Sequence, residues 1–140
     1  MIKTLLANKI FILFLMLFFH VLEDFHLQGI LASMKQKEWW ETQVGSKDLG
    51  KYKCDWIVAL LVHSFEWSFM IMLPLLLYPS LNVVENNAGF AFTITILVCT
   101  IIHFVVDDAK CNKKHINLVI DQTAHILQIL VVWFVFTYRG

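Results

Sequence analysis

Four blocks of this 140-residue chain are apolar for long enough to cross a bilayer, at about 5–27, 56–78, 88–108 and 118–138. Crossing the hydrocarbon core as a helix takes roughly 20 apolar residues, because each residue adds only about 1.5 Å. Buried strands are a poor alternative, since the blocks run well past strand length. Composition agrees: 59% of the residues are hydrophobic and 16% charged, against about 45–50% and about 25% in ordinary soluble domains. The expectation is therefore all-α: an integral membrane bundle of four transmembrane helices, one domain over 1–140, with an interfacial loop between the first and second helices. A formal charge of zero leaves no electrostatic footprint for nucleic acid. The partner implied is the lipid bilayer.

Lys3 and Lys9 ahead of the first block resemble the start of a signal peptide. No clear small-residue cleavage site follows, and the block runs into His20, Glu23, Asp24, His26 and Gln28. A retained helix is expected, continuing as an amphipathic stretch toward Met34. Residues 35–55 read as a polar, lysine-rich lid or interfacial hairpin, with Trp39 and Trp40 as headgroup-level anchors and Gly45, Ser46 and Gly50 as turn residues. Pro74 is placed to kink the far end of the second span and Pro79 to stop it. A short link over 81–89, carrying Glu85, leads to the third.

Four spans put the loops 23–55 and 107–117 on one side, and that side holds eight of the eleven basic residues. The positive-inside rule makes this side cytoplasmic and leaves both termini outside, in a bacterial inner membrane. Cys54, Cys99 and Cys111 show no C-x-x-C spacing and read as structural thiols.

The polar residues inside the blocks are patterned. His20/Asp24, His103/Asp107 and Asp121/His125 are each spaced i,i+4, so both members of a pair share a helix face. Threaded through the topology, all three pairs lie near one membrane face. Each histidine is then about one turn, roughly 5.4 Å, deeper than its aspartate. The order reverses in the last pair because that helix runs the other way. His63 joins them from the second block.

A lone aspartate at the centre of a membrane helix costs about 2.5–3.5 kcal/mol, somewhat less near the interface. No arginine or lysine stands among these acids, and Lys110 at the loop is the nearest cation. A divalent cation would relieve the repulsion among Asp24, Asp107 and Asp121 while taking neutral imidazoles as ligands. The candidate ligands are thus His20, Asp24, His63, His103, Asp107, Asp121 and His125. Mixed His/Asp ligation suits zinc first, or manganese, iron or cobalt, better than calcium. Seven groups exceed one tetrahedral shell, so one or two ions are implied.

Two other readings stand beside the metal: interhelical hydrogen-bond glue and bis-histidine haem ligation. Acids one turn from three of the histidines count against a haem. His26, His115 and Asp108 read as solvated. Glu66, three residues beyond His63 and deeper, is either a general base or proton relay, or a protonated carboxyl hydrogen-bonded to a neighbouring helix. A faint likeness between FFHVLEDF and IIHFVVDD is compatible with a two-fold repeat.

Three motifs stand in order: H-x-x-x-D-F-x-L-Q (His20–Gln28), H-x-x-x-D-x-x-K (His103–Lys110, with Asp108 as an extra acid) and D-Q-x-x-H (Asp121–His125). Over nearly its whole length the chain resembles the DUF3307 family of small multi-span membrane proteins from bacteria and their phages. The resemblance implies that His20, Asp24, Gln28, His63, His103, Asp107, Lys110, Asp121, Gln122 and His125 are the family's polar set. Glu66 and Asp108 are not carried over. The family is distantly similar to membrane proteins described as metal-dependent hydrolases.

The function expected is a metal-dependent hydrolase facing the cytoplasm, in which a metal-bound water serves as nucleophile. Glu66 or an uncommitted aspartate would take the proton, Lys110 would neutralise developing charge, and Gln28 and Gln122 would orient the site. Headgroup depth implies an amphiphilic small-molecule substrate, a lipid-linked phosphate, ester or amide. Rival classes are metal-ion or proton translocation, and a non-catalytic phage accessory membrane protein. The lipid-facing surface leaves room for a homodimer, although no G-x-x-x-G face argues for one.

Overall fold

A computed structural model of the chain describes residues 4, 5, 7–44, 48, 50–78 and 88–138. Lys3, Gly45, Ser46, Pro79 and most of the 81–89 link, Glu85 included, lie outside the described residues. Among the described residues all regular structure is helical.

Helix α1 spans Lys9–Leu22. Asn8 starts it: its Oδ1 accepts from the backbone N–H of Ile10 at 2.9 Å and of Phe11 at 3.3 Å, satisfying two donors that a helix end otherwise leaves open. The helix continues as a π-helical turn over Glu23–Leu27. The expected amphipathic run to Met34 then breaks at Gly29, whose φ of 49° is a left-handed conformation that suits glycine best. Two short helices follow, α2 over Leu31–Met34 and α3 over Lys37–Gln43. The long helices α4 (Asp55–Leu76), α5 (Ala88–Cys111) and α6 (Leu118–Tyr138) complete the order.

Four segments are long and apolar enough to cross a membrane: Lys9–Leu27, Asp55–Leu76, Gly89–Cys111 and Leu118–Tyr138. At 19 to 23 residues each, they reach about 28–35 Å, matching a hydrocarbon core of roughly 30 Å. The chain is an integral membrane bundle of four helices. Helix α4 packs between α1 and α5, and α6 closes the ring against α1 and α5. The short helix α2 lies on α4.

On α4 the buried positions recur every three or four residues (Leu60, His63, Ser64, Trp67, Ile71, Leu75), which is the stripe one helix face presents to a bundle. Val58, Leu61, Phe65 and Phe69 on the remaining face are exposed, as lipid contact requires. Ser64 and Ser68 donate back to the carbonyls of Leu60 and Ser64, at 2.7 and 2.8 Å, so neither hydroxyl is stranded in the interior. Pro74 is buried inside the last turn of α4. Its missing N–H removes one intrahelical bond near an end where few remain.

The interior has two levels. Ile12, Met16, Ile71, Leu75, Phe92 and Phe136 belong to an apolar core. The polar residues of all four spans collect at the other level, with Trp67 between them. At the same end Trp40 Nε1 donates to Met34 O at 2.7 Å, the Trp40 and Tyr52 rings stack at 5.9 Å, and Lys37 Nζ lies 4.4 Å from the Trp56 ring centroid. Such a belt of aromatic rings and lysines suits headgroup depth.

Candidate metal centre

Each span sends polar side chains inward at one level: His20, Glu23 and Asp24 from α1 and its π-helical turn, His63 from α4, His103 and Asp107 from α5, Asp121 and His125 from α6. Helical spacing makes this local, since residues three or four apart share a face. All eight are buried; His63, His103, Asp121 and His125 are 0% exposed and Asp107 1%. The three i,i+4 pairs and His63 therefore do meet.

His63 stands at the centre. Its Nδ1 lies 3.2 Å from Glu23 Oε1; an ionised carboxylate can only accept, so with Glu23 ionised the proton sits on Nδ1 and Nε2 faces inward. That Nε2 lies 3.2 Å from His103 Nε2, 3.4 Å from Asp107 Oδ2 and 3.5 Å from Asp24 Oδ1. Across the cluster, Asp107 Oδ1 is 3.4 Å from His125 Nε2 and 3.8 Å from His103 Nε2. Ligand atoms about 2.0–2.2 Å from a tetrahedral cation sit about 3.3–3.6 Å from each other. The observed separations fall close to that range, and most are too long for strong hydrogen bonds. Asp24, His63 and His103 bring one ligand atom each within 4.8 Å of one another, and so do His103, Asp107 and His125. Both groups could hold a metal ion, and they share His103.

Two of the seven predicted ligands stand outside these groups. His20 Nδ1 accepts the indole N–H of Trp67 at 2.8 Å, which occupies that nitrogen; it lies 3.9 Å from Asp24 Oδ2. Asp121 is held by Lys110 Nζ at 2.6 Å, with its Oδ1 3.4 Å from His125 Nε2. Gln122 Nε2 donates to Asp24 Oδ2 at 2.9 Å and to Asp121 Oδ2 at 3.0 Å, so it ties α1 to α6 through the site. Gln28 Oε1 is buried without a partner.

Glu66 does not join the cluster. Three residues beyond His63 it falls just past the edge of the buried stripe of α4 and is exposed; the interior positions beside it belong to Ser64 and Trp67. The expected interior roles, base or interhelical hydrogen bond, lack the required location. Lys110 is engaged by Asp121 rather than standing free. Asp108, expected in solvent, is 7% exposed and paired with Lys113 at 2.7 Å. His26 and His115 are exposed. All three cysteines are free, with only Cys99 buried.

The expectation that no lysine enters the site is corrected by Lys35. It is 5% exposed, and its Nζ lies 2.6 Å from Asp107 Oδ2. Nothing in a lysine-rich loop sequence marks it. Only the packing of α2 on α4 carries it inward. Glu23 was more legible, because it sits three residues after His20 and so on the same face. Trp67, one turn beyond His63, was hidden among apolar neighbours. Four carboxylates (Glu23, Asp24, Asp107, Asp121) now face two ammonium groups. One divalent cation, or two histidine protons, would neutralise the remainder, and uncompensated charge at this depth is costly.

A family model described as "Protein of unknown function (DUF3307)" matches residues 12–140. No curated protein and no solved structure matches the chain.

Proposed function

This chain belongs to the DUF3307 family, and from its site we propose that it is a membrane-embedded metal-dependent hydrolase acting on an amphiphilic substrate at the cytoplasmic face. The observation that carries this reading is the pair of imidazole nitrogens, His63 Nε2 and His103 Nε2, 3.2 Å apart. They sit in a cluster with two more carboxylates than lysines. Asp24, His63, His103, Asp107 and His125 supply the ligands, and the mixed nitrogen and oxygen set favours zinc over manganese, iron or cobalt. A bound divalent ion would supply a nucleophilic water near neutral pH.

The chain's own residues divide the remaining work. Glu23 fixes the ring of His63 through Nδ1, the carboxylate–histidine arrangement that commonly orients a metal ligand. Lys110 and Gln122 hold Asp121 and Asp24 in place. Lys35, paired with Asp107 Oδ2 at 2.6 Å, offsets the charge of that ligand. The position near one end of the spans supports a lipid-linked phosphate, ester or amide as substrate. Translocation ranks lower, because Ile12, Met16, Ile71 and Leu75, each 0% exposed, fill the interior beyond the cluster with apolar side chains.

Elemental analysis of the detergent-purified protein tests the reading. Wild type should carry about one or two equivalents of metal, and Asp107→Asn and His103→Ala should lose it. Metal-bearing protein should then hydrolyse at least one of a lipid phosphate, an acyl ester or an acyl amide. Protein that folds without metal, and is indifferent to both substitutions, would leave the polar residues as interhelical hydrogen-bond glue.

A further inference from the structure

Between α3, the chain from 50 to 54 and the start of α4 lies a cavity of about 480 Å³, lined by Lys37, Trp40, Glu41, Tyr52, Lys53 and Trp56, among others. Trp56 precedes His63 by two turns on one face of α4. The cavity is therefore about 11 Å nearer the end of the bundle than the metal centre. None of its lining residues belongs to that centre.

The lysines in its wall differ from their neighbours. Lys35, Lys51, Lys110, Lys113 and Lys114 each have a carboxylate oxygen within 3.2 Å. Lys37 and Lys53 are exposed to the cavity and stand in none of the ion pairs among the described residues. Residues 45–47 and 49, outside the described residues, include no acid that could pair with them. Lys37 Nζ lies 4.4 Å from the Trp56 ring centroid. That cation–π contact positions the ammonium but gives it no counter-anion. Glu41 adds one acid, so the described charges of the wall sum to +1. A bare anion entering here would meet the lysines with attraction and Glu41 with repulsion. A group bearing both signs meets all three with attraction.

We propose that the cavity seats the headgroup of a zwitterionic phospholipid. Its phosphodiester accepts from Lys37 and Lys53, and its primary ammonium donates to Glu41. Trp40, Tyr52 and Trp56 give the apolar half of the wall, suited to the glycerol region beneath a headgroup. The lipid surface supplies this ligand at the depth where the cavity stands. That the seated lipid is also the substrate rests on the hydrolase reading; the headgroup site itself does not.

Native mass spectrometry of the full chain from detergent tests it, with zinc content followed in parallel. The probes are dioctanoyl phosphatidylethanolamine, dioctanoyl phosphatidylglycerol and dioctanoylglycerol. Phosphatidylethanolamine should be retained best, ahead of phosphatidylglycerol by about two- to fivefold, the scale of one exposed ion pair. Dioctanoylglycerol should not be retained. Lys37→Gln and Lys53→Gln should each weaken retention of both phospholipids about fivefold, the scale of one lysine at a lipid surface. Lys37→Arg and Lys53→Arg should preserve it, and Glu41→Gln should erase the preference for phosphatidylethanolamine. Zinc content should stay unchanged in every variant. Retention indifferent to the glutamine variants, or equal for dioctanoylglycerol, would overturn the headgroup site. Displacement by excess inorganic phosphate would overturn it too, in favour of a free-phosphate site. A preference surviving Glu41→Gln would overturn the ammonium contact. Metal-free protein that retains lipid as described would remove only the link to hydrolysis.

Discussion

Replacing Lys35 with Met removes the ammonium 2.6 Å from Asp107 Oδ2 and leaves that carboxylate buried among imidazoles. Breaking a buried pair in this way costs about 3–5 kcal/mol. The expected outcome is a large loss of thermal stability in metal-free detergent solution and a smaller one with zinc present, because a bound cation supplies the missing charge. An equal loss under both conditions would separate Lys35 from the metal centre. Glu23→Gln addresses the opposite side of His63: weakening the carboxylate partner of a ligating imidazole should lower metal affinity about 10–100-fold, read by competition with a chromogenic chelator. Glu66→Gln is the control. Glu66 is exposed outside the cluster, so neither bound metal nor melting temperature should change. A drop in metal content would return Glu66 to the site.

At the scale of elements, the segment between α1 and α4 determines whether the cluster is complete. The π-helical turn ends at Leu27, and Gly29 at φ 49° redirects the chain into α2. Lys35 follows directly, and its position depends on that turn. Gly29→Ala should destabilise the protein by about 1–2 kcal/mol, the cost of a Cβ in the left-handed region. Reduced zinc-free stability and greater proteolysis within 29–44 should accompany it. Unchanged melting would mean that α2 tolerates another approach. The spans were legible because block length and apolar content are properties of a segment by itself. The interfacial hairpin was legible too, from its tryptophans among charges, but the burial of Lys35 was not, because it depends on a contact with Asp107, 72 residues away in the chain.

For the whole molecule, orientation is the expectation with the plainest readout. Cys54 is exposed beside the start of α4, at the site end of the bundle, and Cys99 is buried. If that end faces the cytoplasm, a membrane-impermeant maleimide should label Cys54 in inverted vesicles and spare it in right-side-out ones, with Cys99 unlabelled in both. The reverse pattern would place the metal centre outside. The exposed apolar faces, with Phe14 at 66% and Phe90 at 72%, suit contact with lipid or a second copy. Crosslinking in bilayers would distinguish a homodimer from a monomer.

Sequence alone determined that the chain spans a membrane four times and that three histidine–aspartate pairs lie at one depth. Both follow from local quantities, the length of an apolar run and the 3.6-residue repeat of a helix. Tertiary structure decided which of those groups can share an ion and which are diverted. Trp67 occupies His20, Lys110 takes Asp121, Glu66 turns outward, Glu23 joins from the face of His20, and Lys35 enters unannounced. The rotation of each helix about its own axis, and the docking of a short interfacial helix, depend on how surfaces distant in sequence fit together.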